Sequence, residues 1–313
     1  GETANAFTYT MNDGTKADNY TISTKEGTLT VTELTEKVTV TITENSGSEK
    51  YDGAEKTVTG YTVSIDNKLY TESDFTFSGE ATVKGTDAGS YDMELTAENF
   101  TNISNNFTNV EFVIVDGTLE ISKRTVTLTS ADDEKVYDGT ALTNSTVTAG
   151  GEGFATGEGA TYDVTGTQTE VGSSANAFTY TLNSNTKADN YTITKVEGTL
   201  TVTELTEPAT ATITATSGSE TYAGAEKTVT GYTVTSISNP LYTAADFEFN
   251  GDSTVKGTDA GSYAMELKSS DFTNTSKNFK NVEFVVVDGA LEILKRSVTL
   301  TSADAEKVYD GTA

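Results

Sequence analysis

Two stretches, Val38-Thr39-Val40-Thr41-Ile42-Thr43 and Thr125-Val126-Thr127-Leu128-Thr129, decide the fold. Each alternates apolar side chains with threonine hydroxyls, the two-residue period of a strand with one buried face and one wet face. Working outward, a Tyr-Asp-Gly triplet follows each strand, as Tyr51-Asp52-Gly53 and as Tyr137-Asp138-Gly139. Asp-Gly marks a tight turn, because glycine reaches positive φ without a Cβ clash. No window sustains a 3.6-residue period, so little helix is expected beyond single turns near Ser73-Asp74-Phe75 and Ala245-Asp246-Phe247. Many short strands with regular turn signals predict an all-β chain of tandem small β-sandwich domains, Ig-like or β-grasp-like.

The strands belong to a duplication. ANAFTYT begins at Ala4 and again at Ala175, KADNYTI spans Lys16–Ile22 and Lys187–Ile193, and GAEKTVTGYTV starts at Gly53 and Gly224. After one inserted residue near Pro240, VKGTDAGSY starts at Val83 and Val255, and KVYDGTA at Lys135 and Lys307. Inside this long period two unit types alternate. Type A covers 37–122, with Tyr51, Gly53 and Gly89-Ser90-Tyr91, and closes on Gly117-Thr118-Leu119-Glu120-Ile121. Type B covers 123–207, with Tyr137-Asp138-Gly139 and Asn190-Tyr191, and closes on Gly198-Thr199-Leu200-Thr201-Val202. A second A unit spans 208–294 with Tyr222, Gly224 and Tyr263. Residues 1–36 match the closing part of B, and 295–313 match its opening strand together with Tyr309-Asp310-Gly311.

Units meet without a spacer, at Leu34-Thr35-Glu36-Lys37 and Ile121-Ser122-Lys123-Arg124. Junctions this short couple neighbours stiffly and point to domains running head to tail as an elongated rod. Such a rod needs chain entry and exit at opposite ends of each unit, so first and last strands are expected side by side in one sheet. The two terminal pieces of B leave strand edges unpaired, which makes them the least protected segments and invites head-to-tail self-association by strand addition.

Charge and composition narrow the function. With 47 acidic against 20 basic residues, a formal net charge of −27 repels phosphate backbones and anionic membranes, so neither nucleic acid nor membrane insertion is expected. Without Cys or His there is no disulfide frame, thiol nucleophile, imidazole base or His-based zinc site. Neither catalysis nor a cofactor is expected. No stretch reads as a signal peptide, membrane span or sorting tail.

Three features have a chemical and a bland reading. The acidic run Ser130-Ala131-Asp132-Asp133-Glu134 offers oxygens to Ca²⁺, but its copy Ala303-Asp304-Ala305-Glu306 is one carboxylate poorer and the spacing fits no calcium loop, which favours a solvated loop. Lys56 with Asn109, and Lys227 with Asn281, are pairs of the type that form isopeptide crosslinks; the alternative is two exposed polar side chains. The Tyr-Asp-Gly motif could stack and hydrogen-bond a sugar, or be a packed ring on a turn. Asp52 becomes Ala223 in an otherwise near-identical copy, a change a turn tolerates better than a binding site does.

The ordered set of motifs resembles the YDG/MBG-type repeats of bacterial cell-surface adhesins. It runs from Tyr137-Asp138-Gly139-Thr140-Ala141-Leu142 after a Thr-Val-Thr-Leu strand, through Gly89-Ser90-Tyr91 and Asn190-Tyr191-Thr192-Ile193, to the closing Gly-Thr-Leu-Thr-Val. The resemblance implies secretion, anchoring at the bacterial surface or cell wall, and a stalk of repeats holding a distal adhesive region. It leaves two roles open: spacers partnered by neighbouring repeats of the same chain, or weak modules for a host glycan or protein that act by avidity.

Overall fold

In a computed structural model the described residues, 1–312, form thirty strands and six three-residue 3-10 turns. No helix among them is long and apolar enough to cross a membrane. The chain divides into two compact units. One holds residues 1–128, 149–161 and 181–195, the other 129–148, 162–180 and the chain from 196 on, so the central repeat contributes to both.

In the first unit, Val38–Glu44 is flanked by Val110–Val115 in parallel and by Tyr61–Ile65 antiparallel. A second sheet sets Thr118–Ser122 between Gly47–Lys50, parallel, and Gly89–Asp92, antiparallel. The two-residue period does what the sequence asks of it: Val38, Val40 and Ile42 are completely buried while the threonines between them face outward. Opening and closing strands are not side by side, as a rod was expected to require. Each pairs with the other's neighbour instead, because both segments change sheets at the same level, at residues 45–46 and 116–117. Gly117 is required there, since a Cβ would collide with the carbonyl of Asn45.

The second unit repeats the design. Ala209–Ala215 pairs with Val282–Val287 and Tyr232–Ile237, and Ala290–Leu294 lies between Gly218–Thr221 and Gly261–Ala264. The inserted residue sits earlier than Pro240, as a register shift in Tyr232–Ile237 opposite Thr212 and Ile213. From the central repeat this unit takes the sheet in which Gly198–Thr203 lies between Asp133–Val136 and Gly172–Asn176. Each A repeat has an aromatic core. Tyr70 packs edge-on against Phe107 at 5.2 Å and its hydroxyl donates to the Asp74 carbonyl at 3.1 Å; Tyr242, Phe279 and Asp246 repeat the arrangement at 5.1 and 3.2 Å. Tyr70 and Tyr242 are the largest fully buried side chains in the two A repeats, and each has its hydroxyl satisfied.

The turns expected near 73–75 and 245–247 are present as Glu72–Asp74 and Ala244–Asp246. Thr71 and Thr243 cap them reciprocally with Asp74 and Asp246. Sequence reading missed the turns Ala17–Asn19, Ala97–Asn99, Ala188–Asn190 and Ser269–Asp271, although Thr96 and Asn99 carry the same capping signature.

The terminal segments differ from their intact counterpart. Glu2–Asn5 pairs with Gly27–Thr30 as a lone hairpin with every residue exposed, and no strand forms between 295 and 312.

Candidate functional site

In all three structured copies the Tyr-Asp-Gly motif begins where a ladder ends. The backbone N–H groups of Tyr51, Tyr137 and Tyr222 donate to the carbonyls of Ser122, Thr203 and Leu294, the last residues of, or next after, the parallel pairings, at 3.0, 2.9 and 2.9 Å. The aspartate then folds the chain back. The Asp52 carboxylate accepts from the N–H of Ala54 at 2.9 Å, and that of Asp138 from the N–H and hydroxyl of Thr140 at 2.9 and 2.8 Å. Gly53, Gly139, Gly224 and Gly311 sit at φ of +87°, +76°, +72° and +80°, where a side chain is strained. Ala223 forgoes the side-chain bond, yet Gly224 keeps the turn.

The carboxylates also meet lysines. Lys135 holds Asp138 down to about 2, helped by the Thr140 N–H, and Lys56, at 2.6 Å, lowers Asp52. Lys56 is thus committed to Asp52, while the Asn109 amide donates to the Thr35 carbonyl at 3.3 Å. In the second copy Lys227 pairs with Glu220 and Asn281 donates to the Thr206 carbonyl at 2.7 Å. The acidic run is likewise spent on the chain: Asp132 accepts from the Thr199 N–H at 2.7 Å and Asp133 from the Asn144 amide at 3.0 Å. No cluster of metal-ligating groups occurs among the described residues.

What the turn does with its tyrosine is the informative part. The Tyr51 ring, 3% exposed, leaves its own repeat and packs edge-on against Tyr191 at 5.5 Å. Its hydroxyl donates to one oxygen of Glu158, and the Tyr191 hydroxyl donates to the other at 2.7 Å. Tyr191 in turn accepts from the Ala155 N–H at 3.0 Å. Arg124 ties the same loop down, donating to the carbonyls of Gly153 and Glu152 at 2.8 and 2.7 Å, while Lys50 pairs with the Glu152 carboxylate. On the other flank Asp87 accepts from Lys187 at 2.6 Å and from the Asn190 amide at 2.9 Å, and the Ala88 N–H donates back to Asn190 at 2.7 Å. Asn190 is completely buried, with both ends of its amide satisfied by the A repeat.

Tyr137 does the equivalent one junction on. It meets Phe279 edge-on at 5.9 Å, and Gly139 lies so close to Leu241 that a Cβ would sit 2.7 Å from its Cδ2. Asn278 bridges the same junction, accepting from the Val171 N–H at 3.0 Å and donating to Glu170. Tyr137 is half-buried rather than sequestered. Tyr91 and Tyr263 act within their own repeats, where their hydroxyls donate to the Asp87 and Asp259 carbonyls at 2.9 and 3.0 Å and their rings cover Gly85 and Gly257. Tyr222, 38% exposed, and Tyr309, 91% exposed, have no following repeat packed on them among the described residues.

Burial, reinforced by the Glu158 carboxylate, pushes Tyr51 up to about 12, and burial does the same for Tyr191. A raised tyrosine pKa means the folded junction favours the neutral phenol. Its contribution is therefore intact below the unfolded value near 10 and lost as pH rises from about 10 to about 12. Ultraviolet titration should show these phenols ionising only near pH 12. Glu158→Gln should lower that midpoint, and an unchanged midpoint would separate Glu158 from the site.

Sequence reading singled out the tyrosines and glycines but missed Glu158, Asp87, Lys187 and Arg124. A signal existed for Lys187, because KADNYTI is one of the perfectly repeated runs. Glu158 lies in a loop that appears once, so no repeat marked it.

A family model described as the MBG domain matches residues 37–123 and 209–295, the two A repeats. No curated protein matches the chain. Among solved structures, the N-terminal eight Ig domains of Down Syndrome Cell Adhesion Molecule align at 8% identity and a TM-score of 0.15. That alignment covers 82% of this chain and 40% of the other, so the chain spans less than half the length of the structure it aligns with.

Proposed function

The chain belongs to the MBG-domain family, and from that premise we propose that its repeats are the non-enzymatic stalk of a secreted bacterial surface adhesin. They project a distal binding region from the cell, with each repeat partnered by its neighbours in the same chain. Residues 37–122, 123–207 and 208–294 are successive repeats in this stalk, flanked by the partial B repeats 1–36 and 295–313. One observation carries the proposal: the aromatic residue best suited to stack on a sugar is spent on the next repeat, buried at Tyr51 and half-buried at Tyr137. A glycan-binding module acting by avidity needs the same ring displayed on every copy. Net charge of −27 adds self-repulsion that favours extension and solubility over collapse.

Small-angle scattering joined to a glycan-array screen of the chain tests this reading. The stalk expects an elongated particle and no glycan bound above background. A compact particle, or glycan binding lost on Tyr137→Ala, overturns it.

A further inference from the structure

We propose that each A repeat is a mechanical clamp that resists tension applied along the chain. The clamp lies in the pairing of its first and last segments. In the first A repeat Val38–Glu44 runs parallel to Val110–Val115 through six facing residue pairs, and Gly47–Lys50 runs parallel to Thr118–Ser122 through four. Neither connection, 45–46 or 116–117, bends or turns the chain, so both segments keep their direction as they cross between sheets. The chain therefore enters the repeat at one end of a continuous parallel seam and leaves it at the other.

That geometry decides how the repeat meets a pull. Tension draws Lys37 away from Lys123 and slides the opening segment along the closing one. The inter-strand hydrogen bonds lie across the sliding direction, so they share the load and have to break together. The same strands pulled apart sideways from one end lose those bonds one at a time. Residues 52–108, between the two segments, stay outside the path of the force until the seam fails. Forced unfolding is set by the height of the unfolding barrier rather than by equilibrium stability, so the direction of the pull matters.

The seam is closed along its length. At the entry the Val38 N–H donates to the Asn109 carbonyl at 2.9 Å, and at the exit the Tyr51 N–H donates to the Ser122 carbonyl at 3.0 Å. Where the sheets change, side chains bridge the two segments. The Gly117 N–H donates to the Glu44 carboxylate at 2.7 Å, and the Thr118 N–H donates to the Ser46 hydroxyl oxygen at 3.1 Å. Val38, Val40, Ile42, Leu119 and Ile121 are buried behind the seam, so sliding also drags close-packed side chains out of register. The second A repeat has the same design. Its pairings again number six and four, the 216–217 and 288–289 connections are unbent, and the Ala290 N–H donates to the Ser217 hydroxyl oxygen at 3.2 Å. This proposal goes beyond the stalk reading and stands without it. A stalk that yields easily and a glycan-binding chain that resists tension are separate results.

Optical-tweezer unfolding of the whole chain along two directions decides it. The chain has no cysteine, so handles attach only where cysteines are placed. Lys37→Cys with Lys123→Cys loads the first A repeat in sliding. Lys37→Cys with Thr108→Cys grips the two strands at the same end and peels them apart. All three positions are exposed, so both variants are expected to fold. At one loading rate the sliding pair should unfold at a force severalfold above the peeling pair. Its rupture should release the whole repeat in one step, lengthening the chain by roughly 250 Å. Equal forces in the two directions, or a lower force for the sliding pair, overturn the proposal.

Discussion

Tyr51→Ala is expected to destabilise the protein by about 3–5 kcal/mol, the cost of deleting a large buried aromatic, whereas Tyr222→Ala should cost well under half of that. The two residues occupy the same position of the same repeat type, on the same ladder end and with the same glycine turn. They differ in what lies beyond. Tyr51 is enclosed by Tyr191, Glu158 and the Gly153–Ala155 loop, and its loss also leaves one oxygen of a carboxylate without its phenol donor. Tyr222 faces an open cleft. Urea unfolding of the pair measures the difference directly. Equal losses would mean that the motif stabilises only its own repeat.

The second large effect is expected inside the first A repeat. Glu44 is buried, and its two carboxylate oxygens accept the N–H groups of Leu95 and Gly117, both at 2.7 Å. The carboxylate closes the gap where both chain segments change sheets, beside Glu94, which sits at a φ of 64°, a conformation unfavourable for a residue with a Cβ. Other repeats fill the slot differently. In the central repeat Ser130 accepts from the Gly198 N–H at 2.9 Å and donates to the Asn176 carbonyl at 2.6 Å. In the second A repeat Ala215 leaves the slot apolar, and Asp288 accepts from Leu267 and Gly289 at 3.0 and 2.9 Å, beside Glu266 at a φ of 62°. Glu44→Ala combined with Asp116→Ala, which removes the substitute acceptor, should cost about 2–4 kcal/mol for two stranded donors. Glu44→Ala alone should cost less if Asp116 takes over as Asp288 does. A double variant as stable as the native chain would show that water satisfies both amides.

Much of this was legible in the residues. Alternation in Val38–Thr43 identified a one-sided strand, because burial with period two leaves no other geometry. The repeat register pointed to the two stretches, 37–123 and 209–295, that the MBG-domain model matches. Asp52 against Ala223 pointed to a turn rather than a ligand site, and the turn glycines are where the motif puts them. Other features were hidden for physical reasons. Pairing of non-adjacent strands is a long-range choice with no local code, which is why the parallel partners Val110–Val115 and Gly47–Lys50 could not be read. The destination of Tyr51 depends on Glu158, more than a hundred residues away in a loop with no copy. Glu44 reads as one more surface acid in a chain with 47 of them, and only its place at the sheet switch makes it a core residue.

If the Tyr-Asp-Gly tyrosine of one repeat is a strut for the next, Tyr51 and Glu158 must be energetically coupled, and a double-mutant cycle on the two tests this most directly. The cycle compares the unfolding free energies of Tyr51→Phe, Glu158→Gln and the double variant with that of the native chain. Residues in direct contact couple by about 0.5–3 kcal/mol, and independent ones add within about 0.3–0.5 kcal/mol. A strut predicts a favourable coupling of at least about 0.5 kcal/mol at neutral pH. Strict additivity of the two substitutions would contradict it, and the motif would then be a turn that serves its own repeat alone.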